Sequence, residues 1–112
     1  MGKRRFAKPK PSGPIATLHG AALDDKLDLH GETARTAEKK VTFFVERWCR
    51  RQPGAVVLII TGKGSGSPGD PVLRGHVRRL LDGRLAGSVD EWTMDMSGGA
   101  IIVRVGRPEA RP

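Results

Sequence analysis

The sequence predicts an α/β fold with the order β-α-β-α-β-β, a small four-stranded mixed sheet carrying two helices on one face. Three observations predict it. The apolar period is two over residues 26–30 and changes to alternating threes and fours from residue 33. A seven-residue apolar run, "AVVLIIT", is too short and too β-branched for a helix. Two short apolar stretches near the C-terminus flank the turn "SGG".

The elements follow in order. "KLDLH", 26–30, reads as a strand with Leu27 and Leu29 on one face and Asp28 and His30 on the other, and Gly31 ends it. From Thr33, a plausible N-cap, Ala34, Ala37, Val41, Phe44, Val45 and Trp48 recur on one helical face. Pro53-Gly54 stops that helix. "AVVLIIT", 55–61, is a strand buried on both faces, so residues 26–61 form a βαβ unit with parallel strands and a right-handed crossover. The loop "GKGSGSPGDP", 62–71, leads into a second helix at Asp70-Pro71, where proline gives up an amide that had no partner. Leu73, Val77, Leu80 and Leu81 form its apolar face, and Asp82-Gly83 ends it. "VDEWTMDM", 89–96, alternates through Trp92, Met94 and Met96, and "AIIVRVG", 100–106, pairs antiparallel with it across "SGG", 97–99.

The chain is read as one domain with two tails. Residues 1–23 are expected to be a flexible basic arm, too poor in large apolar residues to fold alone, although "IATLHGAAL" within them could be a short docking segment. The domain is expected over 24–107, and 108–112 are expected to fray. Cys49 is the one cysteine, which excludes an internal disulfide and reads as a core thiol in a reducing compartment. No apolar run approaches a membrane span and no apolar segment follows the basic N-terminus, so the expectation is a cytoplasmic monomer without a membrane partner. The net charge of +8 divides into +3 over residues 1–25 and +5 over the rest, and points to a polyanion such as nucleic acid.

Ligands of parallel βαβ units bind beyond the carboxyl ends of the strands. Asp28 and His30 end the first strand, and Thr61, Gly62, Lys63 and Gly64 follow the second. If the strands are neighbours, these segments meet where both helices aim their free N-terminal amides. In an extended strand Asp28 and His30 lie roughly 6.6 Å apart, wide for a locked pair but suited to gripping a phosphate, a water or a metal. Histidine can exchange a proton near neutrality, and aspartate can orient it, hold a metal or act as a base. The bland alternatives are a solvated strand face and a flexible glycine connection. The two motifs together, across one helix, favour function.

Gly64, Gly66 and Gly69 make a literal G-x-G-x-x-G between a strand and a helix. A dinucleotide site is disfavoured because the helix starts after Gly69, Pro68 stiffens the loop, too little chain follows, and no clear ribose-binding acid ends the next strand. A P-loop fails because no Gly-Lys-Ser/Thr opens the helix.

With "LDLHG" (27–31) and "TGKG" (61–64) placed, the chain resembles the small MutS-related (Smr) domain family over about residues 24–107. "VLRGHV" (72–77) and "GGAIIVRV" (98–105) are also similar. The resemblance implies the β-α-β-α-β-β fold of the C-terminal domain of translation initiation factor three. It also implies binding of DNA or RNA, often with endonuclease activity, and for some members action on ribosome-bound messenger RNA. Asp28 and His30 match the candidate catalytic pair, and Thr61, Gly62, Lys63 and Gly64 match the second motif. Thr61 stands where many members have histidine and is left with a hydrogen-bonding role. The glycine loop is longer, Ser65 to Asp70, and the late glycine turn is shorter. No ATPase or dimerisation segment of MutS lies in these residues, so a stand-alone domain is expected.

Two functions follow. As a nuclease, the backbone of 62–66, including Ser65 and Gly66, would hold the phosphate with Lys63. His30 would move a proton, and Asp28 would orient it or help hold a divalent ion, Mg2+ or Mn2+. Arg74 and Arg78, one helical turn apart, would contact neighbouring phosphates. As a non-catalytic nucleic-acid or ribosome-binding module, the same corner would hold a phosphate without cutting. Trp48 and Trp92 are read as core, since 4% aromatics make a stacking surface improbable. His76 is read as a partly buried helix residue, His19 is set aside, no structural zinc is expected, and Arg4, Arg5, Lys8 and Lys10 are either solvated or bound to phosphate.

Overall fold

The computed structural model describes residues 18–62, 71–96 and 98–106. Its elements are β1 (Asp25–Asp28), α1 (Ala34–Arg51), β2 (Val56–Ile60), α2 (Pro71–Asp82), a 3-10 turn (Ala86–Ser88), β3 (Val89–Met94) and β4 (Ala100–Val105). The predicted β-α-β-α-β-β order holds.

Both helices start and stop where the sequence punctuates them. The Thr33 hydroxyl accepts from the Thr36 amide at 3.1 Å, and the Thr36 hydroxyl accepts from the Thr33 amide at 3.2 Å, a reciprocal cap. Ala37, Val41, Val45 and Cys49 are buried at four-residue spacing along α1. α2 begins at Pro71 and ends at Asp82, and presents Leu73, Val77, Leu80 and Leu81 to the core.

The sheet order is β1-β2-β4-β3. β1 and β2 are parallel, as the crossover of a βαβ unit requires. β4 is antiparallel to both β2 and β3, so it runs back between them. The main core joins Leu29, Val57, Ile59, Ile101, Val103 and Val105 of the sheet side to residues of both helices, which places both helices on one face. The opposite face has a smaller core of Leu18, Val56 and Ile102, with Ala21 and Leu58 against it. β2 is therefore buried on both faces, as its unbroken apolar run demands.

Leu18 changes the expectation for the arm. It is 1% exposed, so the last residues of the stretch read as a flexible arm, 18–23, cap the second face of the sheet. The cause is the even positions of β2, whose apolar side chains would otherwise meet water. The neighbouring His19, set aside in the sequence, donates from Nε2 to the carbonyl of Met94 at 2.9 Å. Residues 1–17 and 107–112 lie outside the described residues.

Two strand ends also differ from expectation. β3 stops at Met94, with a register shift between Val89 and Glu91, and Met96 is 86% exposed in the following turn. β1 stops at Asp28 rather than His30, with consequences for the site.

Candidate functional site

Parallel pairing of Asp28 with Ile60 brings the carboxyl ends of β1 and β2 side by side. Pairing of Ile60 with Ala100 adds the β3–β4 turn to the same edge. The edge thus holds Asp28–Glu32, Thr61–Gly62 and the turn from Asp95 to Gly99, with α2 starting nearby.

The expected wide spacing of Asp28 and His30 does not occur. His30 Nδ1 lies 2.9 Å from Asp28 Oδ1, and the His30 amide donates to the same oxygen at 3.0 Å. The physical reason is local. The ladder makes a last bond from the Leu29 amide to the Ile60 carbonyl at 2.8 Å, and then the chain turns. Glu32 N donates to the Leu29 carbonyl at 2.9 Å, closing a tight turn, and Gly31 has a φ of 85°, a conformation that favours glycine. An aspartate that can bond an amide two residues on competes with continued strand and folds His30 back onto itself. The hydrogen bond from the His30 side chain, and then that from its amide, hold the Asp28 carboxyl below its ordinary value. Both side chains stay open to solvent, His30 60% and Asp28 54% exposed.

The loop beneath is anchored by Glu32. Its carboxylate accepts from the Lys40 ammonium at 2.7 Å and from the Thr36 hydroxyl at 2.8 Å, and these two bonds, in that order, hold its pKa down.

Thr61 and Gly62 reach the edge but do not offer their donors there. Both amides donate to the Gly99 carbonyl at 2.9 Å, and the Thr61 hydroxyl lies 3.4 Å from the same oxygen. Thr61 is a buried polar residue, 1% exposed. These two residues therefore tie the start of the glycine loop to the β3–β4 turn. Gly98 and Gly99 are the structural contributors that motif reading undervalued, and "SGG" following an alternating strand was their signal. Lys63, Gly64, Ser65 and Gly66 lie outside the described residues.

Arg74 and Arg78 project from the first two turns of α2. Arg74 is half-buried, with Nη1 3.5 Å from the Gly98 carbonyl, which places it beside the same turn. Arg78 is exposed, with its guanidinium 5.6 Å from the Trp92 ring centre, which positions a cation on the outside of the fold.

Other residues take structural places. Trp48 and Trp92 line the core, and their ring N–H groups donate to Asp25 at 3.0 Å and to Asp82 at 2.8 Å. Buried Cys49 lies 3.0 Å from the Gly106 carbonyl. Half-buried His76 has Nε2 3.4 Å from Glu38 Oε1 without the geometry of a hydrogen bond, while Arg84 takes the other Glu38 oxygen at 2.7 Å.

Among the described residues no group of three or more His, Cys, Asp or Glu could hold a metal ion, and no helix is long and apolar enough to cross a membrane. None of the curated proteins matches the chain. The family model described as "Smr domain" matches residues 27–105, from the first leucine of "LDLHG" to the last residue of β4. With that match over most of its length and the β-α-β-α-β-β sheet beneath it, the chain belongs to the Smr domain family, which is associated with nucleic-acid binding and endonuclease activity.

Proposed function

We propose that this Smr domain binds nucleic acid at the edge formed by β1, β2 and the β3–β4 turn and cleaves its phosphodiester backbone there. The observation that carries this reading is the locked pair of Asp28 and His30. An Asp28 carboxylate can only accept, so it selects the tautomer with the proton on Nδ1 and leaves a lone pair on Nε2 of an exposed imidazole. A histidine oriented in this way is prepared to take a proton, with Asp28 as the positioning residue.

RNA is the substrate this arrangement serves best. His30 removes the proton of a ribose 2′-hydroxyl, whose oxygen attacks the neighbouring phosphorus. The bond to the 5′-oxygen breaks, and that oxygen gains a proton from water. The products are a 2′,3′-cyclic phosphate end and a 5′-hydroxyl end. RNA supplies its own nucleophile, which suits an edge with one histidine. Lys63 and the backbone of 62–66 are proposed to hold the phosphate, except that the Gly62 amide is engaged by Gly99. Arg74 and Arg78 supply charge for the neighbouring phosphates.

For a divalent metal, Asp28 and His30 are the exposed donors at this edge among the described residues, Glu32 and Asp95 being half-buried. Hydrated Mg2+ or Mn2+ keeps most of its waters and takes one or two carboxylates with phosphate oxygens, so Asp28 would supply the carboxylate while the His30 ring, turned onto Asp28 through Nδ1, keeps Nε2 for the proton. When bound, the ion would neutralise charge on the phosphate.

The second reading, a binding module that does not cut, is favoured by one observation: Thr61 is buried and its hydroxyl points at Gly99, so it transfers no proton. Labelled single-stranded RNA and duplex DNA, incubated with wild type, His30→Ala and Asp28→Ala, separate the two. The expected outcome is RNA cleavage to cyclic-phosphate ends by wild type, abolished in His30→Ala and lowered by about 100-fold in Asp28→Ala. Equal cleavage by wild type and His30→Ala removes the nuclease reading from this edge. Salt-sensitive binding without cleavage makes the protein a binding module. Loss of cleavage in EDTA, restored by Mg2+ or Mn2+, assigns the metal a part.

A further inference from the structure

One large apolar side chain on α1 has no part in the core. The buried stripe of α1 is Ala37, Val41, Val45 and Cys49. At 3.6 residues per turn, Phe43 falls at the pole opposite that stripe, and it is 65% exposed. Around it on the same outward face lie Lys39, Lys40, Arg47 and Arg50, all exposed, with Glu46 the acidic residue among them. Lys40 is paired with Glu32, whereas Lys39, Arg47 and Arg50 have no ion-pair partner among the described residues. An exposed apolar residue is ordinary by itself. A ring flanked by unpaired cations on both sides is what a stacked base between two phosphates requires.

We propose that the outer face of α1 is a docking surface for single-stranded nucleic acid, with Phe43 stacked on a base and Lys39, Arg47 and Arg50 contacting phosphates to either side. The inference rests on the nucleic-acid reading above and adds a surface distinct from the sheet edge. Charge complementarity selects the partner: the face has several cations and one carboxylate. A protein partner would want a wider apolar patch than one ring provides. A duplex would meet the cations but hide its base faces, leaving Phe43 nothing to stack on. α1 starts just after the loop that carries His30, and from Lys39 to Arg50 the cations extend over about 16 Å of helix, enough for a few nucleotides.

The test is fluorescence anisotropy with labelled oligouridylate and a labelled duplex of equal length, using the full chain. Wild type is compared with Phe43→Ala, Phe43→Trp and the triple variant Lys39→Ala, Arg47→Ala, Arg50→Ala. Phe43→Ala is expected to weaken single-strand binding by about tenfold and duplex binding far less, and Phe43→Trp to restore it. The triple variant is expected to lower the salt slope of single-strand binding by about 2, the contribution of its three phosphate contacts. Unchanged melting temperatures confirm that each variant folds. Single-strand binding by Phe43→Ala equal to wild type overturns the proposal, as does an equal loss on single strand and duplex. A wild-type dimer that becomes a monomer in Phe43→Ala also overturns it and gives the face to a second copy. His30→Ala, run alongside, keeps the readings apart. If wild type binds no nucleic acid, both readings fail. If wild type binds and only the Phe43 effect is missing, the edge reading stands and this one falls.

Discussion

Asp28 shows how one side chain can end a strand and build a site together. Its Oδ1 accepts from the amide and from the ring of His30, so the residue that stops β1 also orients the imidazole. Because these bonds favour the ionised carboxylate, its folded pKa lies below the ordinary 3.8. The sign of the linkage follows. The contact's stability is fully present above the unfolded carboxylate pKa and is lost as pH falls through the depressed folded value. With the Asp28 side chain 54% exposed, solvent screens the pair and its contribution is below about 1 kcal/mol. Titration of the Asp28 carboxyl by NMR is expected to give a midpoint below that of an exposed aspartate. In His30→Ala that midpoint should move back up. An unmoved midpoint would mean that the ring bond does not persist in solution.

Leu18 carries the corresponding lesson for elements. The run 55–61 announced a strand buried on both faces, and the helices cover only one of them. The cover for the other face was readable only as a docking segment, because a single leucine among Ala, Thr, His and Gly has no period. Leu18→Ala truncates the most deeply buried side chain of the small core with Val56 and Ile102, and is expected to cost about 2–4 kcal/mol in chemical denaturation. A loss within 0.5 kcal/mol would mean that Leu18 is not packed there. The helices were legible because capping residues, proline, glycine and apolar period agree at Thr33, Pro53-Gly54, Pro71 and Asp82-Gly83. The parallel β1–β2 pairing was legible from the crossover alone. The internal place of β4 was not, since adjacency of β4 to β2 depends on how a twisted sheet closes its core, which no local pattern encodes. The site was half legible. Alternation put Asp28 and His30 near one another but set them too far apart, because an aspartate that bonds backwards overrides the strand period. Thr61 could be matched to a motif position, yet its inward hydroxyl depends on Gly99, thirty-eight residues later.

Charge acts over the whole molecule, and its distribution has a consequence for binding. Residues 1–17 contain five Lys/Arg and no Asp/Glu, whereas residues 18–112 hold fifteen Lys/Arg against twelve Asp/Glu. More than half of the net +8 therefore precedes Leu18, the first of the described residues. Each cation that neutralises a phosphate displaces a counterion, so its contribution is read from the slope of log affinity against log salt. Deleting residues 1–17 keeps Leu18, Val56 and Ile102, and the melting temperature of the shortened chain checks that it folds. It should lower the single-strand salt slope by at most about 3.5, the full contribution of five phosphate contacts. Binding titrations of the full chain and of the shortened chain across a salt series measure the difference. A lower slope with RNA cleavage retained divides the labour: the N-terminal cations add affinity without choosing a sequence, while the edge with Asp28 and His30 does the cutting. An unchanged slope would instead place all the phosphate contacts on residues 18–112, where Lys39, Arg47 and Arg50 of α1 are exposed cations.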